Sequence, residues 1–241
     1  MPPPQSQMQL LRKSRQAENA RARICAATTL CLDRHGYAGT SINRVQELAG
    51  VSRGALTHHF PSRQALVAET ASRILQRAVG STESRRASLA RVMQEAEAAS
   101  DGGGEDPVAA WLVRTWTRVV NSREGRALLE ILIATRTDPE LHRQLAPELA
   151  AWDRRMSDAI LDLFTGTAGA DEAACDAEAR LLWGICRTFL RGLLVQERFT
   201  ADPEQLRLYM QRFAGLISPQ LQLRAPVTEA PAAPAKERKA R

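Results

Sequence analysis

Residues 51–60 read VSRGALTHHF, two adjacent histidines beside an arginine, a glycine and a closing phenylalanine. Consecutive helical residues point roughly 100° apart, so His58 and His59 cannot share one ion from a regular helix. The segment has no i,i+4 histidine pair either, and no metal is expected. Ser52 is a suitable N-cap for a short helix, on which Leu56 and Phe60 lie one turn apart and face a core. Arg53, Thr57, His58 and His59 are left as polar positions, with His59 expected outward and His58 packed within the unit. Pro61-Ser62 breaks the helix.

Working outward, TSINRVQELAG (40–50) is a second short helix. Thr40 or Ser41 caps it, Ile42, Val45 and Ala49 face inward, and Gly50 ends it. A longer helix is expected from about Ser14 to His35, with Ile24, Ala27 and Cys31 on one face and Gly36 as its stop. Two short helices joined by AGVS, with a preceding helix to pack against, make a helix-turn-helix pattern. Such a unit presents the start of its second helix to base edges in a major groove. The charge distribution agrees. Residues 1–63 hold nine Lys+Arg against three Asp+Glu, whereas residues 64–221 hold 19 against 22. A basic head on a slightly acidic body suits a polyanionic partner.

The text ICAATTLCLDRHGYAGTSINRVQELAGVSRGALTHHFPSRQALVAE, residues 24–69, resembles the head of the TetR/AcrR family of bacterial transcriptional regulators. The likeness lies in a first helix ending in GY, a Thr-Ser cap, AGVS followed by G, L and HF at fixed spacing, then SR and AL. It implies a DNA-binding regulator, most often a repressor, acting as a homodimer on a palindromic operator and released by a small-molecule effector. By position in that motif, Ser52, Arg53, Gly54, Ala55, Thr57 and His59 lie toward the groove. Thr40 or Ser41 and Arg63 lie on phosphates, which helix N-termini also favour. Arg53 suits guanine O6/N7 by its fork, or a phosphate. The chain departs from the family pattern at Thr57, where tyrosine is usual and threonine has the shorter reach.

The body is helical by composition, since Ala, Leu and Arg dominate and Val, Ile and Thr never alternate over a strand's length. The fold class is therefore all-α, a three-helix head plus a helical bundle for effector binding and dimerisation. Helices are expected over 63–79, 83–99, 107–121, 123–135, 139–164 (with a break at Pro147 open), 172–198 and 203–217. Asp-Pro pairs at 106, 138 and 202 mark three of the starts. The segment LLWGICRTFLRGLLV (181–195) is apolar on more than one side and must bury two faces. With the helix after it, it offers a dimer interface through Leu181, Ile185, Phe189, Leu193, Leu206, Met210, Phe213 and Ile217; an intramolecular core is the other reading. Trp111, Trp116, Trp152 and Trp183, with Leu132, either line an effector cavity or fill the core, and Arg114 and Arg136 are candidate polar contacts there. A cavity of that kind suits a hydrophobic effector, an acid or acyl compound among them.

The boundaries expected are a disordered arm at 1–13, the head at 14–63, the body at 64–221 and a disordered tail at 222–241. Cys25, Cys31, Cys175 and Cys186 form no CxxC pair and read as small hydrophobes. No signal-like or 18-residue apolar run occurs, so a cytoplasmic protein without membrane contact is expected. GxSxG, GxxxxGK[ST] and HExxH are absent, and carboxylates such as Asp153 and Asp158 read as solvated, so neither catalysis nor a cofactor is expected. The alternative function is a helical protein-interaction module with weakened DNA binding.

Overall fold

A computed structural model describes residues 5–80, 82–99, 106–199 and 202–224. Residues 100–105, most of the glycine-rich SDGGGEDP stretch (100–107) that reads as a flexible loop, lie outside the described residues, as do the first four residues and the tail from 225. The described residues form ten α-helices: α1 (Gln5–Gly39), α2 (Ile42–Ala49), α3 (Arg53–His59), α4 (Arg63–Val79), α5 (Thr82–Ala99), α6 (Pro107–Thr115), α7 (Arg123–Ala134), α8 (Pro139–Ala159), α9 (Glu172–Gln196) and α10 (Pro203–Ile217). The all-α expectation holds, with one small addition. Strands β1 (Phe164–Gly166) and β2 (Leu221–Leu223) pair antiparallel, so residues 222 and 223, expected in a disordered tail, are in a strand. Three residues per strand are too few for an alternating pattern to register.

The head forms because its caps are in place. Ser41, Ser52 and Ser62 each accept the backbone N–H three residues on, from Arg44, Ala55 and Ala65. Ser41 is thus the cap of α2, and Thr40 is not. Gly50 closes α2 at φ 60°, in the left-handed region that favours glycine. Arg23 of α1 donates to the carbonyls of Ala49 and Gly50 at 2.6 and 3.2 Å, placing a cation on the negative end of α2. Ile24, Cys25, Ala27 and Cys31 of α1 meet Val45, Ala49, Leu56, Phe60 and Leu66 in the head's core.

Helix α1 starts at Gln5 rather than near Ser14, so residues 5–13 are helical and not an arm. The run QSQMQLLRKSRQ contains no glycine or proline and is rich in Gln, Leu and Arg, good helix formers. Its other end turns at Gly36, with φ 65°. A Cβ there would also sit 2.8 Å from Oε2 of Glu130 on α7. Glu130 instead accepts the Tyr37 backbone N–H at 3.1 Å.

Two large cores and a smaller cluster form the body's interior among the described residues. One gathers Leu32 of α1, Val67, Ala71, Ile74 and Leu75 of α4, Ala127, Leu128 and Ile131 of α7, and Leu141, Leu145 and Trp152 of α8. The other joins Leu112, Ile160, Phe164, Leu182, Trp183, Ala214 and Ile217. Helix α8 runs through Pro147 without a break. It ends earlier than the sequence suggests, in a 3-10 turn at Ile160–Asp162 that leads into β1.

Polar contacts lock the head to the body. The Tyr37 hydroxyl donates to Asp138 Oδ2 at 2.5 Å, and Gln64 of α4 donates to the same oxygen at 3.1 Å. Asp138 also caps α8 by accepting the Leu141 N–H at 2.9 Å. The Tyr37 bond, the largest influence, holds the Asp138 carboxyl below the ordinary aspartate value of 3.8. Burial first, and then that bond, push the Tyr37 phenol up to about 12. A depressed carboxylate stabilises the fold above its unfolded pKa and loses that contribution as pH falls through the folded one. Asp138→Asn should therefore lower stability near neutral pH by on the order of 1 kcal/mol, the difference between a charge-assisted and a neutral bond. Urea unfolding at a series of pH values checks this: the gap from the parent should close below about pH 4, and a gap independent of pH would refute the linkage.

Candidate functional site

Two places in the molecule can do chemistry on a partner: the outer face of α3 and a cavity in the body. On α3, Leu56 is buried while Arg53, Gly54, Thr57 and His58 are exposed. These four lie at i, i+1, i+4 and i+5 and make one stripe. Nothing lies within 4 Å of a Cβ built on Gly54, so the backbone there is open to close approach. Ser52 is exposed beside it, and Ala55 is half-buried.

Several expected contacts sit elsewhere. The two histidines trade places: His58 is exposed, while His59 is half-buried with its ring 6.3 Å from that of Phe60. His59 comes three residues after Leu56, so it shares the inward side of the helix. Thr40 is 1% exposed, and its hydroxyl donates to the Gly36 carbonyl at 2.8 Å, which closes the turn after α1. Arg63 is spent inside the protein. Its guanidinium lies 3.9 Å from the centre of the Tyr37 ring and donates to the Tyr37 carbonyl. The Thr57 hydroxyl donates back to Arg53 and Gly54 carbonyls at 3.0 and 3.2 Å, leaving its methyl as the outward contact. Arg53 makes no ion pair among the described residues.

The cavity has a volume of about 380 Å³ and lies among α4, α7, α8, α9 and the turn after α6. Leu132, Trp152 and Trp183 line it, as the sequence suggested. Trp111, Arg114, Trp116 and Arg136 do not. Trp111 packs tilted between Phe164 and Trp183, each ring 5.0 Å away, and Trp116 packs on the cluster of Leu190, Leu193 and Met210. Arg136 is exposed in the turn after α7. A π turn over Trp116–Val120, where the Asn121 N–H reaches back five residues to the Trp116 carbonyl at 2.8 Å, sets which side chains after Trp116 reach the wall. One extra residue in the turn rotates its later positions, so Arg118, Val119 and Val120 face the cavity. Gly125 permits this, since a Cβ there would lie 2.1 Å from the Val120 carbonyl oxygen.

The cavity wall also holds Arg77, Arg118, Arg187 and Arg191, with Glu124 as its carboxylate. Sequence reasoning passed over Arg187 and Arg191, although a signal existed. They interrupt a helix that is apolar on more than one side, and a cation on such a helix needs a reason to be there.

The outer faces of α9 and α10 divide the expected interface residues. Leu181 and Ile185 are 60% and 45% exposed, joined by Val195, Phe199, Leu208, Tyr209 and Leu216. Phe189 and Phe213 stack at 3.8 Å and tie α9 to α10, with Leu206 partly buried nearby. Leu193, Met210 and Ile217 are buried within the chain itself. The amphipathic pattern marks both kinds of position alike, because it records apolarity and not which surface covers it.

With this geometry in view, likenesses to known proteins carry weight. Residues 24–70 match the family model described as bacterial regulatory proteins, tetR family. The HTH-type transcriptional regulator CymR of Pseudomonas putida is 28% identical over 193 residues, 79% of this chain and 86% of that protein. The head thus resembles that of TetR-family regulators, and the likeness to CymR extends over most of the chain. The HTH-type transcriptional repressor AcnR of Corynebacterium glutamicum is 37% identical over 62 residues, 24% of this chain and 33% of that protein. A TetR-family transcriptional regulator of Agrobacterium tumefaciens matches the fold with a TM-score of 0.55, over 84% of this chain and 99% of that one, at 17% identity. Residues 24–70 are thus a DNA-binding helix-turn-helix head of the TetR type, at α2–α3, in a transcriptional regulator. No helix among the described residues is long and apolar enough to cross a membrane.

Arg63→Ala should act on stability rather than on DNA contacts. Losing its stacking and its hydrogen bond should cost about 1–2 kcal/mol in chemical denaturation. The slope of log affinity for DNA against log salt should stay unchanged. A slope lowered by about one would instead place Arg63 on a phosphate.

Proposed function

We propose that the protein works as a homodimer on a palindromic operator, as a repressor that a small molecule bound in the body cavity releases. The observation that carries this reading is the double membership of α4. Its N-terminal Leu66 is in the head's core, and its Ile74, Arg77 and Ala78 are in the cavity wall. A ligand that shifts the far end of α4 moves the near end, and with it the separation of two recognition helices in a dimer. Such separation must match successive turns of the groove. Two further supports are the exposed stripe on α3 and the exposed apolar face of α9 and α10.

In the dimer, α9 and α10 pair with their symmetry mates as a four-helix interface. Leu181, Ile185, Val195, Tyr209 and Leu216 supply its apolar surface. Gly184, Gly192 and Gly215 have nothing within 4 Å of a built Cβ, so partner backbones can come close. The surface left for DNA is the α3 stripe, with Ser41 and Ser52 at the helix starts, and the DNA is double-stranded. Binding is in the cytoplasm in this reading. Several of the head's cations are already occupied, Arg21 by Glu69, Arg23 by α2 carbonyls and Arg63 by Tyr37. Their field still favours DNA, but readout falls to Arg53, Thr57 and His58.

Selection of bound sequences from random DNA should return a two-fold palindrome. Arg53→Ala should then lose preference at one base pair per half-site, at about 1–3 kcal/mol. A loss equal across all sequences would leave Arg53 a phosphate contact only. Ile185→Asp should convert the dimer to a monomer in light scattering, because an unpaired buried carboxylate costs several kcal/mol. Operator affinity should fall with it. A variant that stays dimeric would remove α9 from the interface.

A further inference from the structure

We propose that the cavity takes a small apolar carboxylate, its anionic group held at Arg187 and Arg191 and its body laid along Trp152, Trp183 and the leucines of α7 and α9. The proposal rests on the effector reading above and narrows it to one chemical class.

The cavity is apolar over most of its wall, with Leu128, Leu129, Leu132, Leu190 and Leu194 beside the two indoles. Its charged groups are unbalanced, four arginines against Glu124. Arg77, Arg118 and Glu124 are exposed and have water at hand. Arg187 and Arg191 are different. They are spaced i,i+4 on α9, so they project from one side of the helix. Their guanidinium carbons stand 5.8 and 5.4 Å from the centre of the Trp152 ring.

This corner has fewer acceptors than donors. The Arg187 side chain is 12% exposed; one nitrogen donates to Asp153 at 2.9 Å and another to Ser157 at 3.2 Å. Its Nε is buried with no partner, and so is Nε1 of Trp152. Arg191 makes no ion pair among the described residues. Burial first, and then the like charge of Arg187, pull the Arg191 pKa below the ordinary arginine value. The fold therefore holds two cations in a partly dry corner with one exposed carboxylate, Asp153, between them and neutrality.

An anion relieves that imbalance, a neutral ligand leaves it, and a cation worsens it. The donors available are two planar forks and an indole N–H, a set that suits the two coplanar oxygens of a carboxylate. The remaining wall offers leucine and tryptophan surface, so the rest of the ligand is apolar.

The test uses the full chain in isothermal titration with 4-phenylbutyrate and octanoate, their primary amides, and 4-phenylbutylamine. The acids should bind at least about tenfold more tightly than the amides, and the amine should bind least. Arg191→Gln should abolish the advantage of acid over amide while leaving the amide affinity in place; Arg191→Lys should restore part of it. Should Arg191→Gln fail to fold, the ranking of acid, amide and amine on the unaltered protein decides the matter alone. Equal binding of acid and amide, tighter binding of the amine, or no binding of either acid would overturn the proposal. Operator affinity measured with the same compounds separates the two readings. Acids that bind without weakening the operator complex would overturn release but leave the carboxylate site. Release by amide or amine alone would do the reverse.

Discussion

Everything functional in this molecule depends on two helices that belong to two cores at once. Helix α1 gives Ile24, Ala27 and Cys31 to the head and Leu32 to the body. Helix α4 gives Leu66 to the head and Val67, Ala71, Ile74 and Leu75 to the body. Close-packed interiors do not deform smoothly, so a displacement in one core has to be accommodated along the helix in the other. The polar joint reinforces this. Tyr37, Glu130, Asp138 and Gln64 bind the turn after α1 to α7, α8 and α4, and Arg126 of α7 grips Asp33 of α1 at 2.6 and 3.3 Å. A head joined by a flexible linker would carry no information from the body; this one has no linker.

The same joint explains why Arg63 is half-buried with its guanidinium against Tyr37. An arginine at the start of a helix, in a basic segment, looks like a phosphate contact from its neighbours in sequence alone. Its real partner, Tyr37, is 26 residues away and is brought there by the packing of α1 on α4. The Tyr37 ring covers the face of the guanidinium and its carbonyl takes one N–H, while Nε is buried without a partner.

Legibility in the sequence depends on how local each determinant is. The bounds of α2, α3 and α4 could be read because serine caps, Gly50 and Pro61 lie within a few residues of the helix ends they set. The proline-led starts of α6, α8 and α10 were legible for the same reason. What escaped was set by geometry across the chain or by backbone irregularity. The π turn at Trp116–Val120 has no residue signature, yet it decided which side chains of that segment reach the cavity. The pairing of β1 with β2 joins residues far apart in the chain, Phe164 with Leu223 among them. The exchange of His58 and His59 turned on about 100° of helix rotation, finer than a two-residue apolar stripe can specify.

Helix α9 shows how the cavity and the proposed interface constrain each other. Arg187 and Arg191 line the cavity, and they also border a groove on the outer side of α9 with Leu181, Gly184, Ile185 and Phe213. One helix thus carries cavity wall on one side and the proposed interface on the other, with the two arginines at the seam. That accounts for its breadth of apolar surface: a helix serving one core needs a single stripe, and this one serves a core, a cavity and, in the proposed dimer, a partner. It also explains why the cations sit where they do. At the seam each long aliphatic stem can lie on apolar surface while Asp153 stays within reach of Arg187. Deeper in either direction, the cost of burying two unpaired charges would outweigh what the fold can supply.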